Sequence, residues 1–245
     1  MQNKKRKMYV TGDTHGEEAR MVYAGYPYNR DLGEGDILFI LGDFGYISND
    51  GYKEHMFLKY LAEEKPYTIC FIDGNHENFD VLESFPVEEW NGGKVHVIRR
   101  DQAKNPKIIH LMRGQVYEID GKKIFTFGGG YSLDRYMRRE GYSWWAREMP
   151  SQEEMDEGLR NLERVGFKVD YILTHTAPMD TMARYKHYHP DERPLNNYLE
   201  YIREKTTYEH WYMGHLHLEE HLWRNQTILW FNVCDMDSGE WVDEM

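Results

Sequence analysis

The chain has 245 residues, 40% of them hydrophobic and 15% aromatic, which is ample for a packed core and unlike the composition of a disordered chain. Its formal net charge of −12 argues against a nucleic-acid duplex as main partner, since phosphate backbones are bound by basic surfaces. Bound divalent cations would reverse that sign locally, so phosphate ligands remain open. The two cysteines, Cys70 and Cys234, each lie inside an apolar run and read as small buried hydrophobes in a reducing, cytoplasmic setting. Lys4, Lys5, Arg6 and Lys7 precede the first motif without an apolar segment, so no signal peptide is expected, and no stretch approaches membrane-spanning length.

In chain order, residues 8–11 are a short apolar strand leading into Gly12-Asp13-Thr14-His15-Gly16. Asp13 and His15 are two apart, so in extended backbone they share a face and can reach one ion. Residues 17–23 read as a helix start with acids in the first turn, and 26–35 as a loop rich in Gly, Pro, Asn and Asp. Residues 37–41 are five consecutive apolar residues between Gly35 and Gly42, the pattern of a strand buried on both faces, with Asp43 directly at its exit. Asp50 is the expected N-cap of a helix to about Glu64, with Tyr52, Met56, Phe57, Tyr60 and Leu61 on its inner face. A third buried strand, 67–72, ends in Asp73-Gly74-Asn75-His76-Glu77.

Short β-rich pieces follow at 94–98, 108–112, 116–119 and 123–127, the last two joined by the hairpin signal Asp120-Gly121. They predict an antiparallel second sheet packed on the first. Gly128-Gly129-Gly130 opens an insert over 128–150 that holds Arg135, Arg138, Arg139, Trp144 and Trp145. Ser151 and Glu154 form a capping box for a helix to about Val165. Residues 169–173 are a fourth apolar strand with His175 beyond its end. The polar segment 185–194, with His187 and His189, reads as a surface loop or lid, and 195–205 as a helix. A fifth strand, 210–213, precedes Gly214-His215-Leu216-His217, and 227–233 is a final strand. There is no internal repeat or linker, so one domain over 1–245 is expected.

Five apolar runs thus deliver metal-ligand side chains at their C-terminal ends, where open α/β sheets bind their ligands. The ligands are oxygen and imidazole without thiolate, which suits Mn, Fe, Ni or Zn. They are too many for one four-coordinate ion, whereas two divalent ions sharing Asp43 would accommodate them.

The series Asp13-x-His15, Gly42-Asp43, Gly74-Asn75-His76-Glu77, His175 and Gly214-His215-x-His217 resembles, in order and over about residues 8–218, the calcineurin-like metallophosphoesterases. The resemblance implies an α/β fold, a four-layer α/β/β/α sandwich of two mixed sheets flanked by helices, with the site at the strand ends. It implies one metal on Asp13, His15, Asp43 and His217 and another on Asp43, Asn75, His175 and His215, with His76 off the metals and facing substrate. The implied reaction is hydrolysis of a phosphomonoester or phosphodiester. Two cations about 3.5–4 Å apart lower the pKa of a bridging water, and His76 serves as general acid, oriented by Asp73 or Glu77. The substrate would be a phosphorylated small molecule, nucleotide or phosphoprotein. Similar protein serine/threonine phosphatases carry Gly-Asp-x-x-Asp-Arg-Gly, but here Tyr46 and Ile47 replace that Asp and Arg. Phosphate capture beyond the metals then falls to Arg135, Arg138 and Arg139, whose spacing would place them on one helical face, with Tyr131, Tyr136, Trp144 and Trp145 free to stack on a leaving group. The alternative from another class is a non-catalytic scaffold of the same fold that binds a protein partner.

Overall fold

The computed structural model describes residues 5–48, 51–186 and 189–242. Asp50 and His187, an expected cap and loop histidine, lie outside the described residues. In chain order the elements are β1 (Met8–Thr11), α1 (Glu18–Val22), α2 (Pro27–Asp31), β2 (Ile37–Ile40), α3 (Tyr52–Glu64), β3 (Thr68–Phe71), α4 (Phe79–Leu82), β4 (Val87–Trp90), β5 (Gly93–Arg100), β6 (Pro106–Leu111), β7 (Gln115–Ile119) and β8 (Lys122–Phe127). They continue with α5 (Gln152–Arg164), β9 (Tyr171–Thr174), α6 (Met179–Arg184), α7 (Arg193–Lys205), β10 (His210–Met213), β11 (Glu220–Leu222), β12 (Gln226–Ile228) and β13 (Val233–Asp235).

The strands form two sheets, ordered β13-β1-β2-β3-β6-β5-β4 and β11-β12-β10-β9-β8-β7. Each has four parallel strands at its centre, β1, β2, β3 and β6 in one and β8, β9, β10 and β12 in the other, with antiparallel strands at the margins. Successive side chains of a strand point to opposite faces, and the cores follow that alternation. Met8, Val10, Ile37 and Phe39 of the first sheet meet Ile124, Tyr171, Leu173 and Tyr212 of the second in a core between the sheets. Tyr9, Leu38, Ile40 and Ile69 point outward against α1 to α4. Phe125, Ile172, Trp211 and Met213 point outward against α5 to α7. The result is the four-layer α/β/β/α sandwich. Cys70 and Cys234 are both free and buried, and no described helix is long and apolar enough to cross a membrane.

Several local expectations are corrected. Of the β-rich pieces, β5 and β6 join the first sheet, β6 pairing in parallel with β3, and only β7 and β8 enter the second. The segment 26–35 contains α2, because Pro27 stands at the start of a helix, where its missing N–H costs nothing. In α3 the buried stripe is Leu58, Leu61 and Ala62, while Tyr52, Met56 and Tyr60 are exposed. Apolar residues wrap more than one face of this helix, so periodicity alone does not choose the inner one. The stretch 227–233 is split, β12 ending in the second sheet and β13 beginning in the first. The Ser151–Glu154 capping box is formed.

Candidate metal centre

The parallel strands β1, β2, β3, β9 and β10 end on the same side of the two sheets, and the turns that follow carry all seven expected ligands. Four of these sit in left-handed backbone: His15 at φ 48°, Asp43 at 45°, His215 at 62° and His217 at 50°. Such conformations are uncommon without glycine and concentrate at functional sites. Here they re-aim side chains inward from turns that would otherwise spread apart. Gly74 permits the approach of Asp43, since a Cβ there would collide with the Asp43 carboxylate.

The side chains converge in two groups. In the first, His15 Nε2 and His217 Nε2 are 3.0 Å apart, and His217 Nε2 is 3.1 Å from Asp13 Oδ2. In the second, His175 Nε2 lies 3.0 Å from Asn75 Oδ1, 3.2 Å from His215 Nδ1 and 3.7 Å from Asp43 Oδ1. Asp43 faces both groups, its other oxygen standing 3.9 Å from His15 Nδ1. The ligand atoms of Asp13, His15 and His217, and of Asp13, Asp43 and His175, fall within 4.8 Å of one another.

Neighbouring groups aim these side chains at the site. His175 Nδ1–H donates to the Leu41 carbonyl at 2.7 Å, which directs its Nε2 to the centre. Asn75 Nδ2 donates to Ser132 Oγ at 3.0 Å, which turns its carbonyl oxygen toward His175. His215 presents Nε2 to Glu192 Oε1 at 3.5 Å, leaving Nδ1 for the site. The second group therefore brings an amide oxygen and two imidazole nitrogens, all metal-ligand atoms, to one point. The charges agree. Burial, the charge of Asp13 and that of Glu77 push the Asp43 pKa well up. For Asp13, burial is outweighed by His175 and by hydrogen bonds from His217 and the His215 N–H, so its carboxyl is held well below the usual range. Burial also lowers His15, against the pull of Asp13. Two buried carboxyl groups, four imidazoles and an amide oxygen are a donor set that suits divalent ions.

Residues that the sequence did not single out hold this arrangement. The buried Arg20 donates to the Asp13 and Trp230 carbonyls and to Thr11 Oγ1, and Trp230 stacks on His217 at 4.7 Å. Glu148 accepts from the N–H and hydroxyl of Ser132 at 2.9 and 2.7 Å, which steadies the partner of Asn75. Glu192 backs His215. These contacts link segments far apart in the chain and have no local signature.

His76 borders a cleft of about 210 Å³ with Asp43, Asn75, Leu133, Asp134 and His217. Its Nε2 is 3.9 Å from Asp43 Oδ2. Burial, then the charges of Arg138 and His15, lower its pKa to about 4, with Asp134 opposing them. Neither acid expected to orient it does so. Glu77 accepts from the N–H groups of Phe44 and Gly74, each at 2.7 Å, which ties the β2 and β3 turns together. Burial and the charge of Asp73 raise Glu77 to about 8. Asp73 is engaged with His110 and Arg113. The acid nearest in effect is Asp134, itself held by Arg138 Nε at 2.7 Å.

The insert is not the helix that the arginine spacing predicts. It holds two 3₁₀ turns, Arg135–Met137 and Ala146–Glu148, and is extended at Arg138, so the three guanidinium groups share no helical face. Arg135 pairs with buried Glu148 at 2.9 Å and lies 3.6 Å from the Tyr131 ring centre and 4.7 Å from that of Trp144. Arg139 is exposed. Tyr131 stacks on His189 at 4.2 Å, which ties the insert to the loop before α7. Tyr46 and Ile47 are core residues, the Tyr46 hydroxyl donating to the Glu17 carbonyl.

Residues 6–219 match the calcineurin-like phosphoesterase family. No curated protein matches the chain. A match over that length places the chain in the calcineurin-like phosphoesterase family.

Proposed function

We propose that this member of the calcineurin-like phosphoesterase family hydrolyses a phosphoester at a dinuclear centre bridged by Asp43. The observation that carries this reading is the convergence of His175 Nε2, Asn75 Oδ1 and His215 Nδ1 beside Asp43, next to the group formed by Asp13, His15 and His217. Asp13, His15, Asp43 and His217 would hold one divalent ion and Asp43, Asn75, His175 and His215 the other. Two such ions supply an activated water near neutral pH and neutralise the oxygens of the phosphoryl group.

The chain's own residues do the rest. The backbone N–H of His76 binds Asp43 Oδ1 at 2.9 Å, so the catalytic side chain and the bridging carboxylate are fixed to each other. His76, held neutral, stands at the cleft and gives a ring N–H to the leaving oxygen as its charge develops. Arg138, whose charge lowers the His76 pKa, is the candidate among the three insert arginines to meet a remaining phosphate oxygen. Leu133 lines the same cleft and offers apolar contact to the leaving group. A phosphorylated small molecule or nucleotide suits a cleft of this size better than an extended phosphoprotein segment. The buried free thiols accord with a reducing, cytoplasmic location.

The test is to strip the protein of metal, add back Mn, Ni, Zn or Mg singly, and measure bound metal and turnover on a panel of phosphomonoesters and phosphodiesters. Two ions per chain with metal-dependent hydrolysis of one ester class is expected. Stoichiometric metal without hydrolysis of any ester would favour the scaffold reading.

A further inference from the structure

The insert packs against one half of the metal centre. At Gly130 a Cβ would come within 3.0 Å of His175 Cδ2, 3.3 Å of Asn75 Oδ1 and 3.4 Å of His215 Cε1, so bare backbone lies against three candidate ligands of the second group. Ser132 and Glu148, both buried, stand behind Asn75. The first group is supported from elsewhere, Asp13 by Arg20 and His217 by Trp230.

A chain of hydrogen bonds runs from the insert to Asn75. Arg135 Nη2 and the Ser132 N–H each donate to Glu148 Oε1 at 2.9 Å, and neither donor can accept. The Ser132 hydroxyl donates to Glu148 Oε2 at 2.7 Å. That uses its single proton, the Asn75 carbonyl lying further off at 3.4 Å, and leaves its lone pairs for a donor. Asn75 Nδ2 is that donor, at 3.0 Å, and the opposite end of the amide, Oδ1, faces His175 Nε2. The two ends of an amide are nearly the same size, so an Asn side chain can turn over at little steric cost and its partners choose the orientation. Turned over, Asn75 would offer an NH2 group, which has no lone pair to give an ion. The insert makes a second tie through the Tyr131 N–H, which donates at 3.2 Å to Glu192 Oε1, the oxygen 3.5 Å from His215 Nε2.

We propose that the insert serves to build one of the two metal positions, with Ser132 as the positioning residue that keeps the Asn75 amide oxygen toward the ion. Affinity for the ion held by Asn75, His175 and His215 then depends on the insert, and affinity for the ion held by Asp13, His15 and His217 does not. This rests on the dinuclear reading above. The two positions share Asp43 but differ in support. One is formed by the turns after β1, β2 and β10, whereas the other also needs residues 130–148 in place. Groups that orient a metal ligand matter about 10–100-fold to metal affinity. Arg135 belongs to this device, since its guanidinium is committed to Glu148 and lies over the rings of Tyr131 and Trp144.

The experiment is calorimetric titration of the metal-stripped full chain with Mn²⁺, read as the dissociation constants of both ions. The wild-type chain should take up two ions. Ser132→Ala should weaken one of them about 10–100-fold and leave the other within about twofold. A double-mutant cycle with Asn75→Asp separates positioning from general loosening, because a carboxylate presents oxygen at both ends and has no orientation to fix. In that background Ser132→Ala should cost less than about twofold. Ser132→Cys fills the same space with only a weak acceptor and carries the same cycle if Ser132→Ala fails to fold. Fewer than two ions in the wild-type chain would overturn the dinuclear reading and this proposal with it. With two ions bound there, three results would overturn this proposal alone: unchanged constants in Ser132→Ala, an equal loss for both ions, or the same loss in the Asn75→Asp background.

Discussion

Two histidine clusters lie on either side of the loop 73–77, and they differ in what anchors them. At the candidate metal centre His15 meets His217, and His175 meets His215 and Asn75. Across the loop, His96 contacts His110, His110 contacts Asp73, and Asp73 is paired with Arg113. Both are rich in imidazole and carboxyl groups, but His96 and His110 are buried whereas His15 and His217 are exposed. Among the described residues, the first cluster gathers carboxyl, imidazole and amide groups with no lysine or arginine side chain at its centre, whereas the second is closed by the Arg113–Asp73 ion pair. The presence of a protein cation therefore separates a structural network from a candidate ligand set where counting histidines does not.

That contrast fails if the centre tolerates loss of its shared carboxylate. Asp43→Asn is expected to lower bound metal and cut turnover by on the order of 10³-fold or more, since several kcal/mol of charge stabilisation goes with the ions. Two ions retained with normal hydrolysis, by metal analysis and aryl phosphate assay, would remove Asp43 from the bridge. His76→Ala sharpens the same point, because it should keep both ions while kcat falls by about 10²–10⁴-fold. Metal loss in that variant would make His76 a ligand.

On the other side of the loop the expected losses are in stability. Arg113→Leu leaves the Asp73 charge buried and unpaired, and breaking a buried pair in this way costs about 3–5 kcal/mol, measurable by urea unfolding. His96 gives the network a pH dependence. Its pKa is about 4 in the folded protein against about 6.5 in an unfolded chain. The unfolded chain takes up the proton first, so this contribution to stability is complete above about pH 6.5 and is lost as the pH falls toward 4. His96→Phe should flatten the urea midpoint over that window. An unchanged slope would mean that His96 takes up its proton in the fold as readily as in the unfolded chain.

The smallest effects belong to the insert. Arg138→Ala should lower kcat/KM about tenfold, close to one charge-assisted hydrogen bond, with metal content intact. Arg139→Ala should change nothing, and Arg135→Ala should act on stability through Glu148. If all three leave kinetics on the true substrate unaltered, the insert is structural.

Much of the centre was legible because each candidate ligand follows a short apolar run, closed by glycine in every case but His175, a local pattern that specifies a buried strand and a tight exit. Seven side chains could be placed at strand ends without knowing which strands are neighbours. The layer order followed from the family resemblance rather than from periodicity. What the sequence did not contain was pairing. β5 and β6 have the same β-rich character as β7 and β8, yet they join the other sheet, because a strand's residues record how buried it is and not which edge it lies on. The inner stripe of α3 was set by the sheet it packs on. Arg20, Glu148 and Glu192 became functional supports only when folding brought them to Asp13, Ser132 and His215, and the arginines of the insert lost their shared face because Glu148, Tyr131 and Trp144 captured Arg135. Local chemistry thus determined the candidate ligands and the turns that carry them. Long-range packing decided which groups stand behind them, because those contacts depend on distances that no local spacing encodes.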